Sequence, residues 1–151
     1  MTDRKTRLAV ERLESRTVPA GLVRVAPVDP FLGNPADDVP SQPGVNYPFS
    51  QVEPYVAANP TRANNLVGAW QQDRWSNGGA RGIVVGVSTD HGRSWDPVAI
   101  PGITRVAGGE FLRATDPWLA FAADGDLFAS VLAWDPAPPD HPILQLSLIH
   151  I

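Results

Sequence analysis

The chain contains no cysteine, which excludes disulfides, zinc–thiolate centres and thiol catalysis together and leaves the redox compartment open. No apolar run approaches the roughly 18 residues that a membrane-spanning helix requires, so no transmembrane segment is expected. Charged residues make up only 19% of the sequence and the net charge is −4, which argues against a nucleic-acid surface. A Gly-rich phosphate loop, a Gly-x-Ser-x-Gly elbow and a His-Glu-x-x-His zinc motif are all missing. No cofactor and no metal ion are therefore expected.

What is abundant is turn chemistry. The 151 residues include 13 glycines and 16 prolines, near a fifth of the chain against roughly 12% in average proteins. Both residues are costly inside helices, so the composition favours short strands joined by turns. A hydrophobic content of 43% supplies enough material for one core.

The beginning of the chain is basic, with Arg4, Lys5, Arg7, Arg12, Arg16 and Arg24. Leu8 to Leu13 is compatible with a short amphipathic helix ending before Pro19. Leu8-Ala9-Val10 is too short for the apolar region of a secretory peptide. Leu13-Glu14-Ser15-Arg16-Thr17-Val18-Pro19-Ala20 resembles the Leu-Glu-x-Arg-x-x-Pro-Ala segment at the start of many large exported proteins of certain bacteria. That resemblance implies a sorting segment at residues 1–20 and an extracellular or cell-envelope location. Without it, the segment reads as a frayed N-terminal helix. Seven prolines between Pro27 and Pro54, irregularly spaced, make residues 21–50 a linker or a wrapped arm, poorly ordered alone.

From Gln51 the pattern changes. Val52–Ala58, Asn65–Gln71, Gly82–Thr89 and Pro97–Ile100 are short β-branched or aromatic runs bounded by Asn, Gly, Pro and Asp. Four antiparallel strands in about 50 residues make one meander. A second copy begins 63 residues after the first, where Asp116-Pro117-Trp118-Leu119-Ala120 answers Glu53-Pro54-Tyr55-Val56-Ala57. The next strands correspond as well, and ending each copy on Trp pairs Trp70 with Trp134. A period of this length with four strands per unit predicts blades of a β-propeller. The expected fold is thus all-β, a partial propeller of one blade and part of a second over residues 51–145.

Ser88-Thr89-Asp90-His91-Gly92-Arg93-Ser94-Trp95 resembles the Asp box, Ser-x-Asp-x-Gly-x-Thr-Trp, of sialidases and related propellers, with Ser94 in place of Thr. The physical logic is a hairpin corner. Asp90 accepts backbone N–H groups that follow it, Gly92 takes positive φ, and Trp95 returns to pack. In the family the box lies away from the catalytic face, so Ser88, Asp90, Gly92 and Trp95 are assigned a structural role. The resemblance implies a glycan ligand or substrate. Sialidases clamp the substrate carboxylate with three arginines and attack with a Tyr–Glu pair, a recognised exception among glycosidases. Their first arginine sits in Phe/Tyr-Arg-Ile-Pro, which is absent here. Phe111-Leu112-Arg113 is the nearest echo, and it lacks the Ile-Pro.

The candidate cavity-facing residues are Glu53, Arg74, Arg113 and Asp116. Glu53 and Asp116 open the innermost strands, with a strand or turn cap before Pro54 and Pro117 as the plainer reading. Asp73 and Arg74 form either an anion contact or a solvated loop pair. Tyr47 lies in the arm, and Tyr55 stands where the second copy has Trp118, which suggests packing. Asp124 and Asp126 around Gly125 read as a hairpin turn and not a calcium loop. Among the five tryptophans, Trp75 beside a Gly-rich turn is the one expected to be exposed. His91 and His141 are isolated loop residues.

Leu146-Ser147-Leu148-Ile149-His150-Ile151 is the peptide obtained by translating the mosaic-end adaptor of transposase-based sequencing libraries. The expectation is a reading frame that ran from a gene fragment into adaptor; the alternative is a genuine β-strand. The chain is thus expected to be a fragment of an exported sialidase-like propeller that acts on or recognises glycans, itself inactive. The rival is a non-catalytic surface propeller that binds a protein or polysaccharide. An exo-sialidase-type hydrolase is the enzymatic version of the first reading.

Overall fold

The computed structural model describes residues 23–34 and 42–136, with the backbone of one further strand at 142–149. Seven strands follow in order: β1 Gln51–Ala58, β2 Leu66–Arg74, β3 Ala80–Ser88, β4 Asp96–Ala99, β5 Arg113–Phe121, β6 Leu127–Trp134 and β7 Pro142–Ile149. A single 3-10 turn at Arg105–Ala107 interrupts the β4–β5 connection. Among the described residues there is no α-helix, as the Gly and Pro content requires. The fold is all-β, and every pairing between these strands is antiparallel.

The sheet is open, with order β1-β2-β3-β5-β6-β7 and β4 on the other stretch of β3. Its two halves are joined weakly. β4 takes Val84–Val87 of β3, whereas β5 meets β3 only at Ala80 and Ala114. The result is a four-stranded meander, β1–β4, hinged to a three-stranded one, β5–β7. β7 contains residues 146–149 and pairs in register with β6 from Leu127↔Ile149 to Trp134↔Pro142. His141, His150 and Ile151 lie outside the described residues, as does the 1–20 segment.

The halves fold face to face over one core. Val67, Ala69, Ile83 and Val85 of the first meander meet Leu119, Leu127, Ala129, Val131 and Ala133 of the second, all nearly inaccessible to water. Each Leu or Val buried there contributes about 1.5–3 kcal/mol. β3 is covered on both sides, which explains its unbroken Ile83-Val84-Val85 run, while β5 alternates buried and exposed positions.

The arm is wrapped. Phe31 is 2% exposed, seated with Ala26 on Trp70 and Val84 across the opposite face of the first meander. A Cβ on Gly82 would come within 2.6 Å of the Phe31 ring, so only glycine lets the arm approach β3 this closely. The later part of the arm is tied to the end of β2, where Arg74 O accepts the Tyr47 N–H at 2.8 Å and Val45 O accepts the Ser76 N–H at 2.9 Å.

Pairing register corrects one correspondence between the copies. Val56 faces Gly68 in the first meander, and its counterpart Leu119 faces Ala129 in the second. Continuing along the strands, Trp70 corresponds to Val131, and Trp134 corresponds to Asp73. The β5–β6 turn, 122–126, is two residues shorter than the β1–β2 turn, 59–65. Aligning the tryptophans overruns that deletion by three positions.

Candidate functional site

The Ser88–Trp95 segment forms the corner between β3 and β4. Asp90 Oδ1 accepts the Arg93 and Ser94 N–H groups, both at 2.9 Å, and Oδ2 accepts the Ser94 hydroxyl at 2.6 Å. The Ser88 hydroxyl donates to Asp90 Oδ1 at 2.8 Å and accepts the Gly92 N–H at 2.8 Å. Gly92 has φ 81°, and the Trp95 indole donates to Gly92 O at 3.0 Å, folding the ring back over the turn. Ser94 leads the hydrogen bonds that hold the Asp90 carboxyl well below its ordinary range. A carboxylate engaged in this way is a turn organiser. His91, at φ 64°, is exposed on the same corner, and its N–H donates to Asn64 O.

Glu53 and Asp116 occupy equivalent and unusual positions. Both have positive φ, 54° and 51°, and both sit at a β-bulge where the β1–β2 and β5–β6 ladders shift register. Each precedes a proline, Pro54 or Pro117, which has no N–H for the ladder, so the strand pairing is interrupted at the bulge. Holding a non-glycine residue at positive φ costs about 1 kcal/mol. The same strain recurs in both copies.

The two bulges converge. Glu53, Pro54, Tyr55, Asp116, Pro117 and Trp118 line one shallow pocket of about 270 Å³. The Tyr55 and Trp118 rings lie 4.2 Å apart at 31°, and Trp118 remains 59% exposed. Tyr55 therefore supports one face of an indole that stays open to solvent. The Glu53 carboxylate accepts a hydrogen bond from the Gln71 amide, and Arg74 donates to Gln71 Oε1 at 2.8 Å. Arg74 thus acts on the pocket through Gln71, and it is not paired with Asp73 as a solvated loop pair.

Asp73 is elsewhere, 1% exposed, in a polar cluster that the sequence pattern did not single out. Its Oδ1 accepts the Phe49 N–H at 3.0 Å and the Gln72 amide at 2.9 Å, and Arg81 stands 3.5 Å from Oδ2. Burial pushes the Asp73 carboxyl up to about 6, helped by the nearby Asp29 carboxylate. The visible signal was Gln71-Gln72-Asp73 continuing a strand with three consecutive polar residues.

Arg113 is buried at 1% exposure and fully engaged. Its guanidinium donates to Gln42 Oε1 at 2.6 Å, Asn77 Oδ1 at 2.8 Å, Gly78 O at 2.7 Å and Pro43 O at 2.6 Å. It also lies 4.7 Å over the Trp75 ring. Desolvation, then Arg74, lower its affinity for a proton. Arg113 is a clamp between the arm, the β2–β3 turn and β5, and does not face the pocket. Trp75 is accordingly 2% exposed, which corrects the expectation drawn from its Gly-rich turn. Trp118 is the open indole instead. In the β5–β6 turn, the Asp126 N–H donates to Asp124 Oδ1 at 3.2 Å. Among the described residues no three metal-binding side chains converge.

No protein-family model matches the chain, and searches of curated proteins and of solved structures give no significant match. Among the described residues no helix is long and apolar enough to cross a membrane.

Proposed function

We propose that these repeats belong to an exported sialidase-like β-propeller and that the acid–aromatic pocket between them recognises a glycan. The observation that carries this reading is the pairing of the Glu53 and Asp116 bulges around the Tyr55–Trp118 stack. An open indole presents an apolar face to sugar C–H groups, and carboxylates accept hydroxyl hydrogens. The four-stranded meander with its Asp-box corner supports the propeller part of the reading.

Recognition is favoured over hydrolysis. The arginine nearest the sialidase pattern, Arg113, is bound entirely by protein groups, and the pocket carries two carboxylates. Two negative charges suit a neutral or amino sugar, whereas a sialic acid carboxylate would be repelled. A hexose has about 12 non-hydrogen atoms, and ~0.3 kcal/mol per atom gives a Kd on the order of 1 mM for one residue. Titration of the protein with neutral and sialylated oligosaccharides tests this by calorimetry or NMR. Neutral sugars are expected to bind, Trp118→Ala to abolish binding, and Asp116→Asn to weaken it. Preference for sialylated ligands, or binding unaffected by Trp118→Ala, would refute the reading. A fluorogenic sialoside is expected to remain uncleaved.

A further inference from the structure

The arm meets the first meander across two buried carboxyls. Asp29 on the arm is 5% exposed, and Asp73 near the end of β2 is 1% exposed. Asp29 opens the arm's turn: its Oδ1 accepts the Phe31 N–H at 2.8 Å, and its main-chain carbonyl accepts the Leu32 N–H at 3.2 Å. The carboxyl is thereby fixed two residues before Phe31, the ring seated on Trp70 and Val84. Asp73 is held at φ 63°, and both of its hydrogen-bond donors go to Oδ1.

The second oxygen of each carboxyl is buried without a hydrogen-bond partner. A single proton accounts for both. While the two groups are ionised neither can donate, and each repels the other. With one proton between them, one carboxyl donates to the other and a buried charge disappears. Burial raises the proton affinity of Asp73 most, and Asp29 adds to it through its charge and through a hydrogen bond between the carboxyls. The remaining charge faces Arg81 of β3, 3.5 Å from Asp73 Oδ2. Among the described residues the groups around Asp73 are thus Asp29 from the arm, Arg81 from β3, Gln72 from β2 and the Phe49 N–H. A guanidinium at that distance also disfavours a metal ion between the carboxyls.

We propose that the Asp29–Asp73 pair is a proton latch: sharing one proton it holds residues 23–34 against β2 and β3, and losing that proton loosens this part of the arm. The arm is the element that yields. β2 is paired along its length with β1 and β3, whereas residues 23–34 join no strand ladder. Their tie from the Asn34 amide to Val106 O, at 3.3 Å, carries no charge. Release uncovers Trp70 and Val84, which Phe31 and Ala26 otherwise cover. Asp73 holds its proton up to about 6 when the arm is docked, against an ordinary 3.8. Docking is therefore fully supported below about 3.8 and weakens as the pH rises through about 6.

The test is amide hydrogen exchange on the full chain between pH 4 and pH 7.5, corrected for the intrinsic pH dependence of exchange. Phe31, Leu32 and Asn34, whose N–H groups are bonded within the arm, report its opening. Their protection is expected to fall on the order of 30-fold across this range, and to be lost before that of the Ile83–Val85 amides at every pH. Asp29→Asn keeps the acceptor for the Phe31 N–H and supplies an amide donor to Asp73, and Asp73→Asn does the same in reverse. Each variant, its fold checked by circular dichroism, is expected to keep the arm protected at pH 7.5. Arm protection that does not change with pH would overturn the proposal. So would arm and sheet amides that exchange together, or a pH dependence that survives intact in either variant.

Discussion

Raising the pH from 4 to 7 forces a charge onto Asp73 inside the fold. The carboxyl is 1% exposed, the Asp29 carboxylate lies beside it, and burial is the largest influence on it. Its two donors, from Gln72 and Phe49, both go to Oδ1, and Oδ2 has no hydrogen-bond partner. Arg81 approaches Oδ2 only to 3.5 Å and also lies 5.8 Å over the Phe31 ring. Asp73 therefore titrates at about 6 in the folded chain against an ordinary 3.8. A folded-state value raised above the unfolded one means that the folded state holds the proton more tightly. Its contribution is fully present below about 3.8 and is lost as the pH rises through about 6. The whole interval corresponds to about 3 kcal/mol, and the part between pH 4 and pH 7 to about 2 kcal/mol. Asp73→Asn keeps an oxygen for the two donors and does not titrate. Urea unfolding of both proteins from pH 4 to pH 7.5 isolates the titration of Asp73 together with its Asp29 neighbour from that of the remaining groups. The stability difference between them is expected to move by about 2 kcal/mol in favour of the variant as the pH rises. A difference that stays constant, or moves the other way, would refute the reasoning.

Three further outcomes follow from the same contacts. Arg113→Met leaves Pro43 O, Gly78 O and the Gln42 and Asn77 side chains without their donor, and should cost about 3 kcal/mol in urea unfolding; a loss below 1 kcal/mol would show that Arg113 is no clamp. Phe31→Ala opens a cavity under the arm and should destabilise the chain by about 3 kcal/mol while speeding proteolysis between residues 23 and 34; unchanged cleavage would mean that the arm is held elsewhere. Asp90→Ala removes the acceptor for Arg93, Ser94 and Ser88, so the variant should unfold at a lower temperature near neutral pH. Because the Asp90 carboxyl is held below its ordinary range, its stabilisation is present above that range and fades as the pH falls, so wild type and variant should converge in acid.

Much of the first meander was legible because each strand is a β-branched run closed by turn residues. Gly82–Thr89 was expected and Ala80–Ser88 is observed. The turn at Ser88–Trp95 was legible too, since Asp90, Gly92 and Trp95 act through local hydrogen bonds that depend on spacing alone. The acid-Pro-aromatic repeat located the two equivalent positions, but a strand opening or turn cap was expected there and a bulge inside each strand is observed. Exposure was harder to read. Trp75 follows a polar strand end and precedes glycines, yet it is covered by Arg113, which arrives from β5. Tyr55 was read as packing, and it stacks on one face of Trp118, whose exposure no local pattern signalled. The Asp29–Asp73 cluster needed the arm to fold back from residue 29, a long-range event with no local signature.

The paired bulges are proposed to form one glycan site around Trp118. The most direct measurement follows the five indole N–H resonances during titration with a neutral oligosaccharide. A saturable shift of the Trp118 indole is expected, with Trp70, Trp75 and Trp95 unmoved. A shift confined to Trp75 or Trp95, or none at millimolar ligand, would contradict it.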